Sequence, residues 1–119
     1  MQDFRKFKVW QEAHQLVLNL YRLTGLFPKE EIYGLTSQIR RAASSIPANL
    51  CEGCGRSSDA DFARFSQIAF GSACELEYHL ILAKDLNYLN EDAGQQTQQR
   101  LESIKRMLAS LLKKLRAES

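Results

Sequence analysis

The sequence is poor in the residues that interrupt helices and in those that build metal centres. Its 119 residues include only two prolines, six glycines, two histidines and three cysteines. The scarcity of proline and glycine leaves long stretches free to form helix, and the abundance of Leu, Ala, Glu, Gln, Lys and Arg favours helix over sheet. Because domains commonly contain about 100–200 residues, we expect one domain over residues 1–119.

Long hydrophobic runs and a dominant charge are missing too. No segment approaches the roughly 20 apolar residues of a membrane span, and the first ten residues lack the apolar core of a signal peptide. Three cysteines without such a signal indicate reduced thiols, so we expect a cytoplasmic protein with no membrane partner. The formal net charge is only +2. A nucleic-acid surface must therefore come from local clustering or from repetition in an oligomer.

Apolar residues spaced by three or four predict the first two helices. The first is expected over about Lys6–Thr24, with Gly25 ending it in the left-handed conformation. The second lies within the run YGLTSQIRRAASSIPANLCEG, Tyr33–Gly53, where the small residues Ala42–Ser45 would let another backbone approach closely. Pro47 lacks an N–H for the carbonyl four residues earlier, so a kink or a local break is expected there.

Capping residues predict where the last two helices begin. Ser58 precedes Asp61 by three residues, as in a capping box, so the third helix is expected to start there and to reach about Asn87. Asn90 is a candidate N-cap for the fourth helix, whose apolar stripe has nearly heptad spacing. That stripe comprises Leu101, Ile104, Leu108, Leu111 and Leu115.

The third helix is apolar around too much of its circumference for a single buried stripe. One set is expected to face the core: Phe62, Phe65, Ala69, Leu76, Leu80 and Ala83. A second set points elsewhere and is the candidate subunit interface: Ile68, Phe70, Ile81 and Leu82. A helix that is apolar on several sides is buried on several sides. The pattern therefore predicts a homo-oligomer, but not its number of subunits.

Metal and redox chemistry each lack a complete set of residues. A di-iron bundle needs two Glu-x-x-His motifs, whereas Glu75 and His79 are four residues apart and no second pair exists. Cys51 and Cys54 have CxxC spacing, but neither the four ligands of a zinc site nor the βαβ context of a thioredoxin motif accompanies them. We expect these two cysteines and Cys74 to be neither catalytic nor metal-bound, and we expect no catalytic residue, metal or cofactor in the chain.

Two groups of charged residues are singled out. Glu75 and Glu77 flank an apolar residue of the third helix, and one of them is expected to neutralise an arginine of the second, Arg40 or Arg41, in a structural ion pair. Basic residues crowd the end of the fourth helix and the N-terminus, and phosphate contacts there would make affinity depend on salt. These candidate nucleic-acid contacts are Lys105, Arg106, Lys113, Lys114 and Arg116, with Arg5, Lys6 and Lys8 as helpers.

Ordered motifs along nearly the whole chain resemble one known family. They are VWQEA at Val9–Ala13, the YGLTSQIRRAA and SIPAN runs of the second helix, Glu52–Gly53, Gly55–Ser57, Ile68–Ala69, Gly71–Ser72 and Glu75–Glu77. In these motifs the chain is similar to the four-helix-bundle proteins encoded within intervening sequences of bacterial large-subunit ribosomal RNA genes. The accessory variability proteins of diversity-generating retroelements look like relatives of the same family.

The resemblance implies an all-α, up-down-up-down antiparallel four-helix bundle that assembles into a homopentamer. It implies no catalytic activity and, for the retroelement relatives, binding of nucleic acid and of a reverse transcriptase. The expected function is thus that of a non-enzymatic oligomeric adaptor, whose partners are other copies of the chain, RNA or DNA, and a protein. The alternative is an oligomeric protein-interaction scaffold that binds no nucleic acid.

Overall fold

Four α-helices form the fold of the computed structural model, which describes residues 3–118 and contains no strand in that range. α1 covers Lys8–Thr24, α2 Leu35–Cys54, α3 Asp59–Asp85 and α4 Glu91–Glu118, and short 3-10 helices at Phe4–Lys6 and Lys29–Glu31 precede α1 and α2. Each α-helix packs against the next, and α1 also packs against α4, which closes a bundle of 45 × 23 × 20 Å. The predicted all-α four-helix bundle is confirmed. Within residues 3–118, no helix is both long and apolar enough to span a bilayer.

One apolar core runs along the bundle and uses the stripes that periodicity predicts. All six residues of the predicted core face of α3 are buried. In α4 the stripe shifts near its end, because Leu112 is buried while Leu111 is only half-buried. The shift follows from the α-helical period, which drifts from a strict heptad by about 20° every seven residues.

Side-chain caps begin the last two helices, as predicted. The Ser58 hydroxyl accepts a hydrogen bond from the Asp61 N–H at 3.1 Å. At the start of α4 the Asn90 side-chain oxygen accepts one from the Ala93 N–H at 2.8 Å. Each cap satisfies a backbone donor that has no partner within its own helix.

The predicted left-handed stop at Gly25 is wrong. Gly25 has a φ of −62°, in the right-handed region, because the chain continues past α1 in further tight turns. The left-handed residue is Asn87, with a φ of 64°, in the turn after α3. Asparagine adopts this conformation more readily than most residues, since its short polar side chain tolerates it.

α2 runs from Leu35 to Cys54 without the break that Pro47 allows. The proline ring is buried in the bundle, so packing holds the helix together where a backbone hydrogen bond is missing. At the start of α2, one carboxylate oxygen of Glu31 accepts from the Leu35 N–H at 3.1 Å and the other from the Tyr88 hydroxyl at 2.9 Å. Glu31 therefore caps α2 and ties it to the segment that follows α3.

Candidate nucleic-acid interface

The C-terminal half of α4 is rich in positive charge. Residues 103–117 include five Lys or Arg and no Asp or Glu. Lys113 and Lys114 project about 100° apart on the helix, so they serve different sides of α4. Lys114 lies beside α1 and Lys113 beside α3.

A groove between α1 and α4 brings together cations from both predicted clusters. Lys8 of α1 and two residues of α4, Arg106 and Lys114, line this α1–α4 groove, which has a volume of about 540 Å³. Its floor is apolar, two serine hydroxyls add hydrogen-bonding groups, and none of its lining residues is acidic. Arg106 lies 3.8 Å from Glu102, but both side chains are well exposed, so the charge of the arginine is only weakly offset.

A second groove lies on the other side of α4, against α3. Lys113 and Arg116 line it together with Gln67 and Phe70, and its volume is about 440 Å³. Arg116 donates from Nη2 to the Gln67 side-chain oxygen at 2.8 Å, which holds the guanidinium close to α3. Both cations of this groove, Lys113 and Arg116, are exposed.

Lys105 contributes less to an exposed basic surface than its sequence position indicates. Its Nζ donates to a carboxylate oxygen of Glu77 at 2.8 Å, and it lies 5.9 Å from the ring centroid of Phe70. The hydrogen bond that Lys105 donates to Glu77 raises the pKa of Lys105 above its ordinary value, while partial burial opposes the rise. The pair links α3 to α4, and Glu77 offsets the charge of the lysine.

The end of the bundle at which α4 finishes carries further cations that the sequence analysis missed. The guanidinium groups of Arg56 and Arg64 lie 4.8 and 4.5 Å from the ring centroid of Phe65, one from the turn before α3 and the other from α3 itself. Arg56 also pairs with Glu52 at 3.0 Å. In an antiparallel bundle this turn lies at the same end as the N-terminus of α1, where Arg5 stacks over Phe4 at 5.0 Å, and as the C-terminus of α4. The adjacency of Arg64 to Phe65 was visible in the sequence, but the approach of Arg56 depends on the turn.

The predicted ion pairs between α2 and α3 are wrong in their partners. Arg40 donates from Nε to the Thr24 hydroxyl at 2.9 Å and from Nη2 to the Tyr21 carbonyl at 3.2 Å, with its guanidinium 4.6 Å from the Tyr21 ring centroid. Arg40 thus faces the C-terminus of α1, whose carbonyls carry negative partial charge and favour a cation. Arg41 is exposed.

The two glutamates of α3 pair within α3 and with α4 instead. Glu75 contacts Nε2 of His79 one turn later at 3.1 Å, and Glu77 holds Lys105. The reason is geometric: Arg40 lies on the α1 side of α2, whereas both glutamates lie on α3 away from that side. The sequence can predict that a charged residue lies close to the core, but it does not reveal which neighbour will neutralise that charge.

The candidate subunit interface separates into two kinds of residue. Ile68 and Ile81 are 43% and 46% exposed. Phe70 and Leu82 are half-buried and pack against the core of their own chain. Ile68 and Ile81 are 13 residues apart in sequence, which places them about 140° apart around α3, so the exposed apolar surface lies on two flanks of the helix.

The cysteines are free thiols in three different environments. Cys54 is buried, Cys51 is half-buried and Cys74 is exposed. Burial raises the pKa of Cys54 to about 11, with a further contribution from the neighbouring Cys51. Within residues 3–118, no group of three His, Cys, Asp or Glu side chains is placed to hold a metal ion.

These features define an all-α four-helix-bundle protein whose most distinctive surface is the basic α1–α4 groove. The chain belongs to the family of 23S rRNA-intervening sequence proteins, whose sequence profile matches residues 5–110. Its fold is similar to that of a protein with unknown function from the S23 ribosomal protein family of Bacteroides thetaiotaomicron, with a TM-score of 0.82 and 26% sequence identity, over 88% of this chain and 95% of that one. No curated protein matches the chain. The family expected from the motifs is confirmed.

Proposed function

We propose that the protein is a non-enzymatic oligomeric adaptor that binds RNA or DNA through the α1–α4 groove. The observation that carries the proposal is the convergence of Lys8, Arg106 and Lys114 on a groove with no acidic lining residue. Membership of a family connected with rRNA intervening sequences supports the same conclusion. The cations of the second groove, and those at the end of the bundle where α4 finishes, enlarge the basic surface. It can therefore contact more than one phosphate group of a nucleic acid.

Binding of this kind is directed at the phosphate backbone. Three lysine or arginine contacts would give a logarithmic salt dependence with a slope of about −2 to −3 per subunit, the shallower value for single strands. Such contacts recognise no base sequence, so affinity per subunit is expected to be micromolar or weaker and tolerant of sequence. An oligomer repeats the groove and raises the overall affinity by multivalency.

The oligomer in this proposal is a ring. Ile68 and Ile81 expose apolar surface on two different flanks of α3, and a ring joins two different patches of each subunit, whereas a twofold dimer joins one patch to itself. Burial of apolar area in such contacts is the driving force for assembly. We favour five subunits because the family resemblance implies a homopentamer.

Paired charge reversals test the nucleic-acid role. Lys8→Glu with Lys114→Glu is expected to weaken binding of a labelled RNA or DNA at 50 mM salt by roughly tenfold or more, because two phosphate contacts become repulsive. Arg22→Glu with Lys29→Glu is the matched control, since both side chains are exposed at the other end of the bundle and the change in charge is the same. Fluorescence anisotropy gives the affinities, and light scattering shows whether both variants keep the parental mass.

Purification without nuclease provides the complementary measurement. An absorbance ratio typical of bound nucleic acid, followed by sequencing of the bound strands, would identify the ligand. Equal losses in the two paired variants, or no binding to single or double strands at 50 mM salt, would refute the proposal. The scaffold alternative would then be favoured, and the exposed Leu26 and Tyr33 at the far end of the bundle would be its first candidate contacts.

A further inference from the structure

A separate cavity lies at the end of the bundle away from the basic residues, between the end of α1 and the start of α2. Its volume is about 310 Å³, and its apolar wall is formed by Phe27, Pro28 and Ile32. The polar groups that line it include Lys29 and Arg40, and none of its lining residues is acidic. The cavity is thus apolar on one side and positively charged on the other.

Thr36 lines this cavity with a hydroxyl that has no protein partner. The residue is only 2% exposed, and its side chain makes no hydrogen bond to any residue in the range 3–118. The other two buried threonines differ, since Thr24 and Thr97 donate to backbone carbonyls at 2.7 Å. Unlike the unpartnered polar atoms of Trp10, Ser66 and His79, the Thr36 hydroxyl oxygen is not fully enclosed. It opens onto the cavity, where water or a ligand can satisfy it.

The backbone around Thr36 adds hydrogen-bond donors. Thr36 lies in the first turn of α2, where backbone N–H groups lack partners within the helix and carry positive partial charge. The N–H of Leu35 is already taken by Glu31. The N–H of Gln38 is taken by the Gly34 carbonyl, so the donors left without a partner within the helix are those of Thr36 and Ser37. Of these two residues, Thr36 lines the cavity.

Arg40 supplies a fixed cation on the other side of the cavity. Its hydrogen bonds to Thr24 and to the Tyr21 carbonyl use two of the five N–H donors of the guanidinium. The remaining donors are held in a defined orientation by these two bonds and by the Tyr21 ring. A planar, preoriented guanidinium is well suited to a planar oxyanion.

We infer that this cavity binds a carboxylate carried on an apolar body. The carboxylate accepts hydrogen bonds from the Thr36 hydroxyl, the start of α2 and Arg40, with Lys29 adding charge. The apolar body packs on Phe27, Pro28 and Ile32. A small free carboxylic acid and the C-terminal residue of a polypeptide share this chemistry. The site is independent of the proposed nucleic-acid function, because it lies at the other end of the bundle.

N-acetyl-leucine and N-acetyl-leucinamide form the probe pair for this site, since they share an apolar body and differ in the carboxylate. In a titration followed by amide NMR spectra, the acid is expected to shift the signals of Ile32 and Thr36 saturably, and the amide is expected to bind at least roughly tenfold more weakly. Equal shifts from the two compounds, or shifts confined to other parts of the chain, would overturn the inference.

Two variants of the cavity and one matched control complete the test. Thr36→Val removes the hydroxyl at nearly constant shape. It is expected to weaken the binding of N-acetyl-leucine by roughly tenfold, while the melting temperature of the protein stays level or rises. Thr97→Val, at a buried threonine outside the cavity, should leave the affinity unchanged. Lys29→Gln removes a charge at an exposed position, so it is also expected to weaken the binding of N-acetyl-leucine. This second variant tests the site even if Thr36→Val perturbs the fold. Parental affinity in both cavity variants would refute the site.

A peptide distinguishes the two sources of the carboxylate. A hexapeptide that ends in leucine with a free carboxylate binds at least roughly tenfold more tightly than N-acetyl-leucine if a protein C-terminus is the ligand, because flanking residues add contacts. Equal affinities identify a small carboxylic acid. The same hexapeptide with an amidated terminus is the control, and tight binding of the amide would count against the inferred site.

Discussion

Gly53 lets α2 lie directly against two aromatic rings of α3. A Cβ added there would be 2.7 Å from Cδ1 of Phe62 and 3.1 Å from Cβ of Phe65. Gly53→Ala is therefore expected to lower the free energy of unfolding by about 1–3 kcal/mol through overpacking. Gly71→Ala is the control, because a Cβ at Gly71 meets nothing within 4 Å, and it should raise stability by about 0.5–1 kcal/mol. Denaturant unfolding measures both, and effects of the same sign would contradict the close approach.

Burial orders the reactivity of the three cysteines. Alkylation is expected to modify Cys74 first and Cys54 last, because the thiolate is the reactive form and burial holds the pKa of Cys54 at about 11. Mass spectrometry of partly alkylated protein gives the order under native and reducing conditions. Rapid modification of Cys54 in the native protein would contradict its burial.

The same thiol makes stability depend on alkaline pH. The folded pKa of Cys54 is raised from 9.0 to about 11, so above pH 9.0 the unfolded chain loses this proton before the native chain does. The contribution of Cys54 is complete below pH 9.0 and is lost as the pH rises towards about 11. Melting temperatures under reducing conditions should fall less steeply across this window in Cys54→Ala than in the parent. Cys74→Ala should retain the parental slope.

At the scale of the helix, Ser58 determines how α3 begins. Its hydroxyl satisfies the Asp61 N–H, so Ser58→Ala is expected to cost about 0.5–2 kcal/mol of stability. Ser57→Ala is the matched control at the preceding position, which is exposed and not the cap residue, and it should change stability by less than about 0.5 kcal/mol. Thermal unfolding followed by circular dichroism compares them. Equal losses would show that the cap contributes nothing specific.

Helix beginnings were predictable because their signals are local. Ser58 and Asn90 cap backbone groups only three residues away, and a short window of sequence contains both partners. The end of α1 was not predictable in the same way. Gly25 is compatible with a left-handed stop, but the chain turns further in the right-handed region, whereas Asn87 adopts the left-handed conformation after α3. The identity of a residue permits such a conformation without requiring it.

Partners across helices were the part that the sequence could not specify. The basic character of α4 was evident, yet the meeting of Lys8 with Lys114 depends on α1 packing beside α4. Arg40 was expected to find a carboxylate, and it instead binds the end of α1, because its position on α2 faces that helix. A pattern of spacing predicts the face on which a residue lies, but not what the neighbouring helix presents to it.

At the scale of the whole molecule, the two exposed isoleucines of α3 make the proposed ring testable by mixing. Ile68→Glu and Ile81→Glu are each expected to yield monomers, because each removes one of the two patches that every contact needs. Mixed together, they should form a heterodimer, since each variant retains the patch that the other has lost. Light scattering measures all three samples. Two monomers that stay monomeric on mixing would contradict a contact between different patches.

The short turn between α2 and α3 also has a consequence for the order of folding. The two helices are joined through residues 55–58 and share the most extensive packing between helices in the described chain. Closing so short a connection loses little chain entropy, so an α2–α3 hairpin is expected to form the nucleus, with α1 and α4 docking later. Stopped-flow kinetics would reveal this: Ser58→Ala should mainly slow refolding, whereas Asn90→Ala, which removes the cap of α4, should mainly speed unfolding.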